Sequence, residues 1–159
     1  MKITIICVGK IKEKFYTEAV NEYTKRLLRY TKVNICEVAD ERTFDMMSET
    51  EENLIKDKEG ERIISKITQD MYVYALEIRG KQRDSVKFAS EIDSLMVSGT
   101  SHICFIIGGS LGLSKNVLSR ADSFLSFSEM TFPHQLMRVI LAEQIYRCFR
   151  IINHEPYHK

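Results

Sequence analysis

Five short runs of apolar, largely β-branched residues are spaced through this chain, and each is followed by residues whose apolar members recur every three or four positions. Alternation of these two periods marks strands alternating with helices, which bury their apolar faces best as an α/β fold, a mainly parallel sheet flanked by helices. The first run, Lys2 to Gly9 (KITIICVG), ends at glycine. Tyr16, Ala19, Val20, Tyr23, Leu27 and Tyr30 then trace one stripe of a helix over 13–30. A second strand is predicted over 33–38, then a helix to about Ile67 that Ser48 and Glu51 open with capping-box spacing. A third strand covers 71–78 and stops at Gly80, and Asp84 or Ser85 can cap the next helix, whose inner face is Phe88, Ala89, Ile92, Leu95 and Met96. Residues 101–107 read as a fourth strand, a short helix starts near Ser114, and 124–128 form a fifth strand. Pro133 opens a last, strongly apolar helix to about Ile152. With 159 residues and no repeat, linker or low-complexity tract, one domain spanning 1–159 is expected.

The net charge of +1 conceals a segregation. Between Glu37 and Glu61 there are ten acids against three bases, so the remainder carries 20 bases against 12 acids, and Met1 to Lys32 alone holds eight bases against three acids. Two readings stand: a helix face with ordinary solvated charges, or a basic lobe that meets a polyanion. No apolar stretch approaches the roughly 20 residues that a bilayer requires, so a cytoplasmic protein without a membrane anchor is expected. Cys7, Cys36, Cys104 and Cys148 form no C-x-x-C pair, and Pro156 interrupts the spacing of His154 and His158. Reduced cysteines and no metal are therefore expected.

The strongest chemical signal is the glycine cluster Gly108-Gly109-Ser110-Leu111-Gly112 after the fourth strand. A phosphate-binding loop requires lysine after its last glycine, and Leu113 stands there instead. The spacing also differs from a dinucleotide fingerprint. It does match G-x-S-x-G, the context of a serine hydrolase with Ser110 as nucleophile and Asp122 and His134 following in order, although the next elements leave little sheet on which these could converge.

Three segments weigh more together: FIIGGSLGLS (Phe105 to Ser114), SFSEMTFPHQLMRVILAEQIYRCFRI (Ser126 to Ile151) and PYHK (Pro156 to Lys159). With V-G-K at Val8 to Lys10 and L-x-x-x-G-K at Leu76 to Lys81, this ordered set resembles the RlmH family of SPOUT-class RNA methyltransferases over the whole chain. The resemblance implies transfer of a methyl group from S-adenosylmethionine to N3 of a pseudouridine in 23S ribosomal RNA of assembled ribosomes. It also implies a SPOUT-type fold with a C-terminal trefoil knot, and a homodimer. Carried over by residue, the cofactor pocket would use Leu76, Gly108, Phe127, Ser128, Glu129, Met130, Thr131 and Phe132.

Such a ligand carries no phosphate, so the missing lysine ceases to matter, and what it requires is close main-chain approach and apolar walls. Removal of the N3 imide proton calls for a base, or for a cation beside the developing anion. His158, Tyr157 and Lys159 in the tail and Arg138 on the last helix are the candidates. Lys10, Lys12, Lys14, Lys81 and Arg83 follow strands and could hold RNA phosphates from a shared rim. The last helix is the candidate dimer interface, though a core helix would carry the same pattern. A ribosome-binding factor without catalysis remains the alternative.

Overall fold

The computed structural model describes residues 1–159. Its elements are β1 (Lys2–Val8), α1 (Lys14–Leu27), β2 (Lys32–Val38), α2 (Glu49–Ile64), β3 (Met71–Gln82), α3 (Ser85–Val97), β4 (His102–Ile107), α4 (Lys115–Arg120), β5 (Ser123–Ser126) and α5 (His134–Ile152). All five strands pair in parallel in the order β2-β1-β4-β3-β5.

Strand residues alternate between the two faces, as a pleated backbone dictates. Ile3, Ile5 and Cys7 of β1 join Phe105 of β4 and Tyr74 of β3 in a core closed by Leu27, Phe88, Ile92, Leu141 and Ile145 from α1, α3 and α5. Ile6 and Val8 face the other way, with Val73, Cys104 and Ile106, onto Ile63 of α2 and Val117 of α4. The acid-rich α2 and the basic α1 therefore cover opposite faces of the sheet.

Local chemistry explains the starts of the helices. Ser48 and Glu51 form the capping box expected of them: the Glu51 N–H donates to Ser48 Oγ at 3.3 Å, and the Ser48 N–H donates to Glu51 Oε2 at 2.8 Å. These bonds to Ser48 hold the Glu51 carboxyl below its usual range. Asp84, not Ser85, caps α3 by accepting from the Lys87 N–H at 2.8 Å. α1 and α2 end about three residues earlier than their stripes suggest, and β5 stops at Ser126.

The largest departure from expectation is β3. Gly80 does not end it; the strand resumes and reaches Gln82. Leu125 pairs with Leu76 and again with Lys81, so residues 77–80 loop out of the ladder and return to the same partner strand. Gly80 permits this because a Cβ there would stand 2.9 Å from the Glu77 carbonyl oxygen and 3.0 Å from the Phe124 carbonyl carbon.

Candidate active site

Ligand sites in parallel sheets gather at the carboxyl ends of strands, and a cavity of about 190 Å³ lies there, at the ends of β3, β4 and β5. β3 contributes Leu76 and Glu77, β4 contributes Ile107, and Gly108 follows it. Phe127, Ser128, Met130, Thr131 and Phe132 come from the bend between β5 and α5, and His134 and Met137 from the first turn of α5. Seven of the eight pocket residues expected from the sequence are thus brought together. Glu129 is the exception: it belongs to the same bend but is exposed and lies outside the lining.

Main-chain geometry shapes this pocket. A Cβ at Gly108 would meet Leu113 Cδ2 at 2.9 Å and the Gly112 carbonyl carbon at 3.1 Å, so a side chain there would collide with the returning loop. The Gly112 N–H donates to the Gly109 oxygen at 3.1 Å and closes that loop. Ser126 Oγ lies 2.8 Å from the Ile78 carbonyl oxygen, tying the 77–80 excursion to β5. The Met130 N–H donates to Ser128 Oγ at 2.9 Å and fixes the bend. The lining contains no lysine or arginine, one acid (Glu77) and one imidazole (His134). Burial and the Arg138 guanidinium push that imidazole below its ordinary pKa, so it is neutral near pH 7.

Glu59 of α2 stands behind the glycine loop and was not anticipated. It is 4% exposed, and its Oε1 accepts from the Glu41 N–H at 2.9 Å. A Cβ on Gly109 would come within 3.0 Å of its Oε2. Burial pushes this carboxyl up from its usual value. Its position between Ile55 and Ile63, four residues from each, was the available sign that it lies on an inward stripe.

Arg138, a candidate from the sequence, lies inside the fold. It is 1% exposed, its Nη1 lies 2.6 Å from Glu37 Oε1, and its Nη2 donates to the carbonyl oxygens of Val8 at 3.1 Å and Gly9 at 2.8 Å. Its guanidinium anchors α5 to the ends of β1 and β2 and does not line the pocket. The same junction places the basic loop: Glu37 Oε1 also accepts from the Ile11 N–H, and the Lys12 N–H donates to Gln135 Oε1 at 2.8 Å. Lys12, exposed, is thereby held beside the first turn of α5 near His134, and Lys10 is exposed two residues before it.

The tail folds back along α5 after His154, which takes a left-handed φ of 54°. The Arg150 Nη2 donates to the Pro156 oxygen at 2.8 Å, and Glu155 pairs with Arg150 and Tyr30. Tyr157 donates to Glu143 Oε1 at 3.1 Å, stacks edge-on against Tyr146, and lies under the Arg147 guanidinium at 4.7 Å. His158 Nδ1 is 3.4 Å from Arg147 Nη1. Burial, with Glu143 second, pushes the Tyr157 phenol up to about 12. Neither Tyr157 nor His158 lines the pocket of its own chain.

The hydrolase arrangement is absent. Asp122 Oδ2 accepts from the Val73 N–H at 2.7 Å and pairs with Arg120, whereas the charges acting on His134 are Arg138, Asp40 and Lys12. No three His, Cys, Asp or Glu residues converge as a metal site. Burial pushes the Cys7 and Cys104 thiols up to about 12, leaving them poor nucleophiles. No helix is long and apolar enough to cross a membrane.

A pocket with main-chain edges, apolar walls and no cationic floor agrees with a methyl-donor site, and the family comparison points the same way. Residues 1–158 match the family model described as "Predicted SPOUT methyltransferase", and the chain belongs to that family. Among its curated relatives, the ribosomal RNA large subunit methyltransferase H of Clostridium beijerinckii is 60% identical over 159 residues, covering all of both chains. The proteins of the same name from Bacillus pumilus and an Exiguobacterium species are each 57% identical over the same full length.

Proposed function

We propose that this chain is an S-adenosylmethionine-dependent methyltransferase acting on N3 of a pseudouridine in 23S ribosomal RNA of the assembled ribosome, in the cytoplasm and as a homodimer of one-domain chains. The observation that carries the reading is the pocket lining: no lysine or arginine, a neutral imidazole, and a glycine loop that brings main chain against the cavity. When bound, S-adenosylmethionine supplies a methyl group already activated on a sulfonium, and its net positive charge suits a pocket without cations.

Leu76, Phe127, Met130 and Phe132 would wall the adenosine and methionine moieties, with main-chain groups near Gly108, Ser128 and Thr131 pairing with the polar edges. Alignment is then the protein's main task. The remaining task is the N3 proton. A tyrosine whose pKa is raised stays protonated, so Tyr157 serves as a hydrogen-bond donor, and His158 is the better acceptor for the proton. His158 is held beside the middle of α5, whereas the pocket meets its first turn. The thirteen residues from His134 to Arg147, which holds His158, correspond to about 20 Å along the axis. A second copy therefore has a role beyond surface area: its tail meets the pocket that the first chain's tail does not line. The half-buried Leu136, Val139 and Ile140, left over after α5 packs on α1 and α3, suit that contact. The trefoil knot belongs to the same proposal and is supported by Gly80 lying against the main chain of Phe124 and Leu125.

Calorimetric titration with S-adenosylmethionine, followed by transfer of labelled methyl to ribosomes lacking the modification, tests the reading. Saturable binding and incorporation into 23S RNA are expected. Absence of both overturns it, and ribosome binding without affinity for S-adenosylmethionine would identify a non-enzymatic binding factor instead.

A further inference from the structure

A second cleft of about 380 Å³ adjoins the pocket at the free edge of the sheet, between the 77–80 excursion and the start of β5. Glu77 lines both cavities. Arg79 and Lys81 on its wall are exposed, and neither side chain makes an ion pair or hydrogen bond within the chain. Beside them Phe124 is 38% exposed although it follows directly on β5 from Ser123 and precedes the buried Leu125. An aromatic on an edge strand next to two unpaired cations has no role in either core.

The floor is built to hold its shape. The Arg83 side chain is only 6% exposed; its Nη1 donates to the Lys81 oxygen at 2.9 Å and the Phe124 oxygen at 3.0 Å, its Nη2 to Ser123 Oγ at 3.0 Å, and its Nε lies 2.5 Å from Glu91 Oε2. Arg83 is thus engaged as a brace and, unlike Lys81, is not free to meet RNA. Of the two acids present, Asp122 is occupied by Arg120 and the Val73 N–H, leaving Glu77 against Arg79 and Lys81.

We propose that this cleft seats an unpaired nucleotide of the ribosomal RNA flanking the methylated base, with the Phe124 ring stacked on the base and Arg79 and Lys81 on its phosphate. The proposal rests on the methyltransferase reading and adds a substrate subsite to it. An aromatic face paired with unneutralised cations is the combination that unstacked nucleotides select, because every base offers a π-face and every linkage a negative charge. The shared wall at Glu77 puts that nucleotide next to the reacting one.

The test compares Phe124→Ala, Phe124→Tyr and the Arg79→Ala/Lys81→Ala pair in three measurements: cosedimentation with unmodified ribosomes over a salt series, KM for ribosomes in methyl transfer, and calorimetric affinity for S-adenosylmethionine. Phe124→Ala should raise KM and the ribosome Kd about tenfold, as expected for the loss of one stacked base, and Phe124→Tyr should restore both. The double variant should lower the slope of log affinity against log salt by about 0.7, from the one phosphate that the two cations neutralise. Affinity for S-adenosylmethionine should not change. Unchanged ribosome binding and KM in all three variants would overturn the subsite, as would a parallel loss of S-adenosylmethionine binding. A wild-type chain that neither binds S-adenosylmethionine nor transfers methyl overturns the enzyme reading instead, and sedimentation still reads the cleft.

Discussion

His134 occupies the first turn of α5, half-buried at the mouth of the pocket, where burial and Arg138 both disfavour its charged form, Lys12 adds to them, and Asp40 opposes. A histidine pKa below the ordinary 6.5 means that the ring stays neutral through the physiological range and gains its proton only below that value. Protonation would place a cation in a pocket proposed for a positively charged ligand. Affinity for S-adenosylmethionine should therefore be flat from pH 8 down to about 6.5 and fall below it. His134→Gln, which keeps a polar group without the charge, should abolish the acid loss and leave affinity at pH 7.5 within about threefold, an effect of the size of one neutral hydrogen bond. Calorimetry across pH reads both; an acid limb that survives the substitution would assign it to another group. Arg138 gives the opposite lesson at the same scale. As a cation on an apolar helix it looks available for catalysis, yet its contacts with Glu37, Val8 and Gly9 engage it in holding α5 to the sheet.

At the level of elements, α2 and α4 meet through a contact that reverses a familiar expectation. Alanine inside a helix is normally up to about 1 kcal/mol better than glycine. At Gly60, however, a Cβ would stand 2.2 Å from Ser114 Oγ and 3.0 Å from Ser114 Cβ. Ser114 is 3% exposed and caps α4 by accepting from the Val117 N–H at 3.4 Å, so it has little room to yield. Gly60→Ala should thus destabilise by about 2 kcal/mol, the cost of overpacking and of a disturbed cap exceeding the gain in propensity. Denaturant titration of this variant, of Ser114→Gly and of the pair measures it; the double variant should be more stable than the sum of the two singles predicts. Gly80 reads in the sequence as the end of β3, because a single chain does not reveal which main chain lies opposite a glycine. The strands, the caps at Ser48 and Asp84 and the start of α4 near Ser114 were legible, since period and capping chemistry are local, whereas the residues of the bend over 127–132 came from the family resemblance. Glu59, the brace at Arg83 and the order β4-β3-β5 were not legible, because each depends on segments remote in sequence: Gly109 against Glu59, Ser123 and Phe124 on Arg83, and the crossovers of the sheet.

Across the whole molecule, the charge segregation of the sequence becomes a division in space. The acids of α2 lie on the face that it shares with α4, while the basic α1, α5 and the folded-back tail lie on the other, with Lys12 beside the first turn of α5. The tail is not loose: Arg150, Glu143 and Arg147 grip Pro156, Tyr157 and His158 alongside α5. A tail so held acts on whatever packs against that face, and in the proposed dimer this is the pocket of the other copy. Complementation separates that arrangement from one in which each chain is self-sufficient. His158→Ala removes the tail histidine but keeps the pocket; Gly108→Val narrows the pocket against Leu113 and Gly112 but keeps the tail. Each variant alone should lose methyl transfer by at least about a hundredfold, within the usual contribution of a general base or of precise alignment. Coexpressed in equal amounts, half of the dimers are mixed and each mixed dimer has one site with an intact pocket and an intact tail, so about a quarter of the wild-type activity should return. If the tail served its own chain, every site in the mixture would carry a lesion and no activity would return.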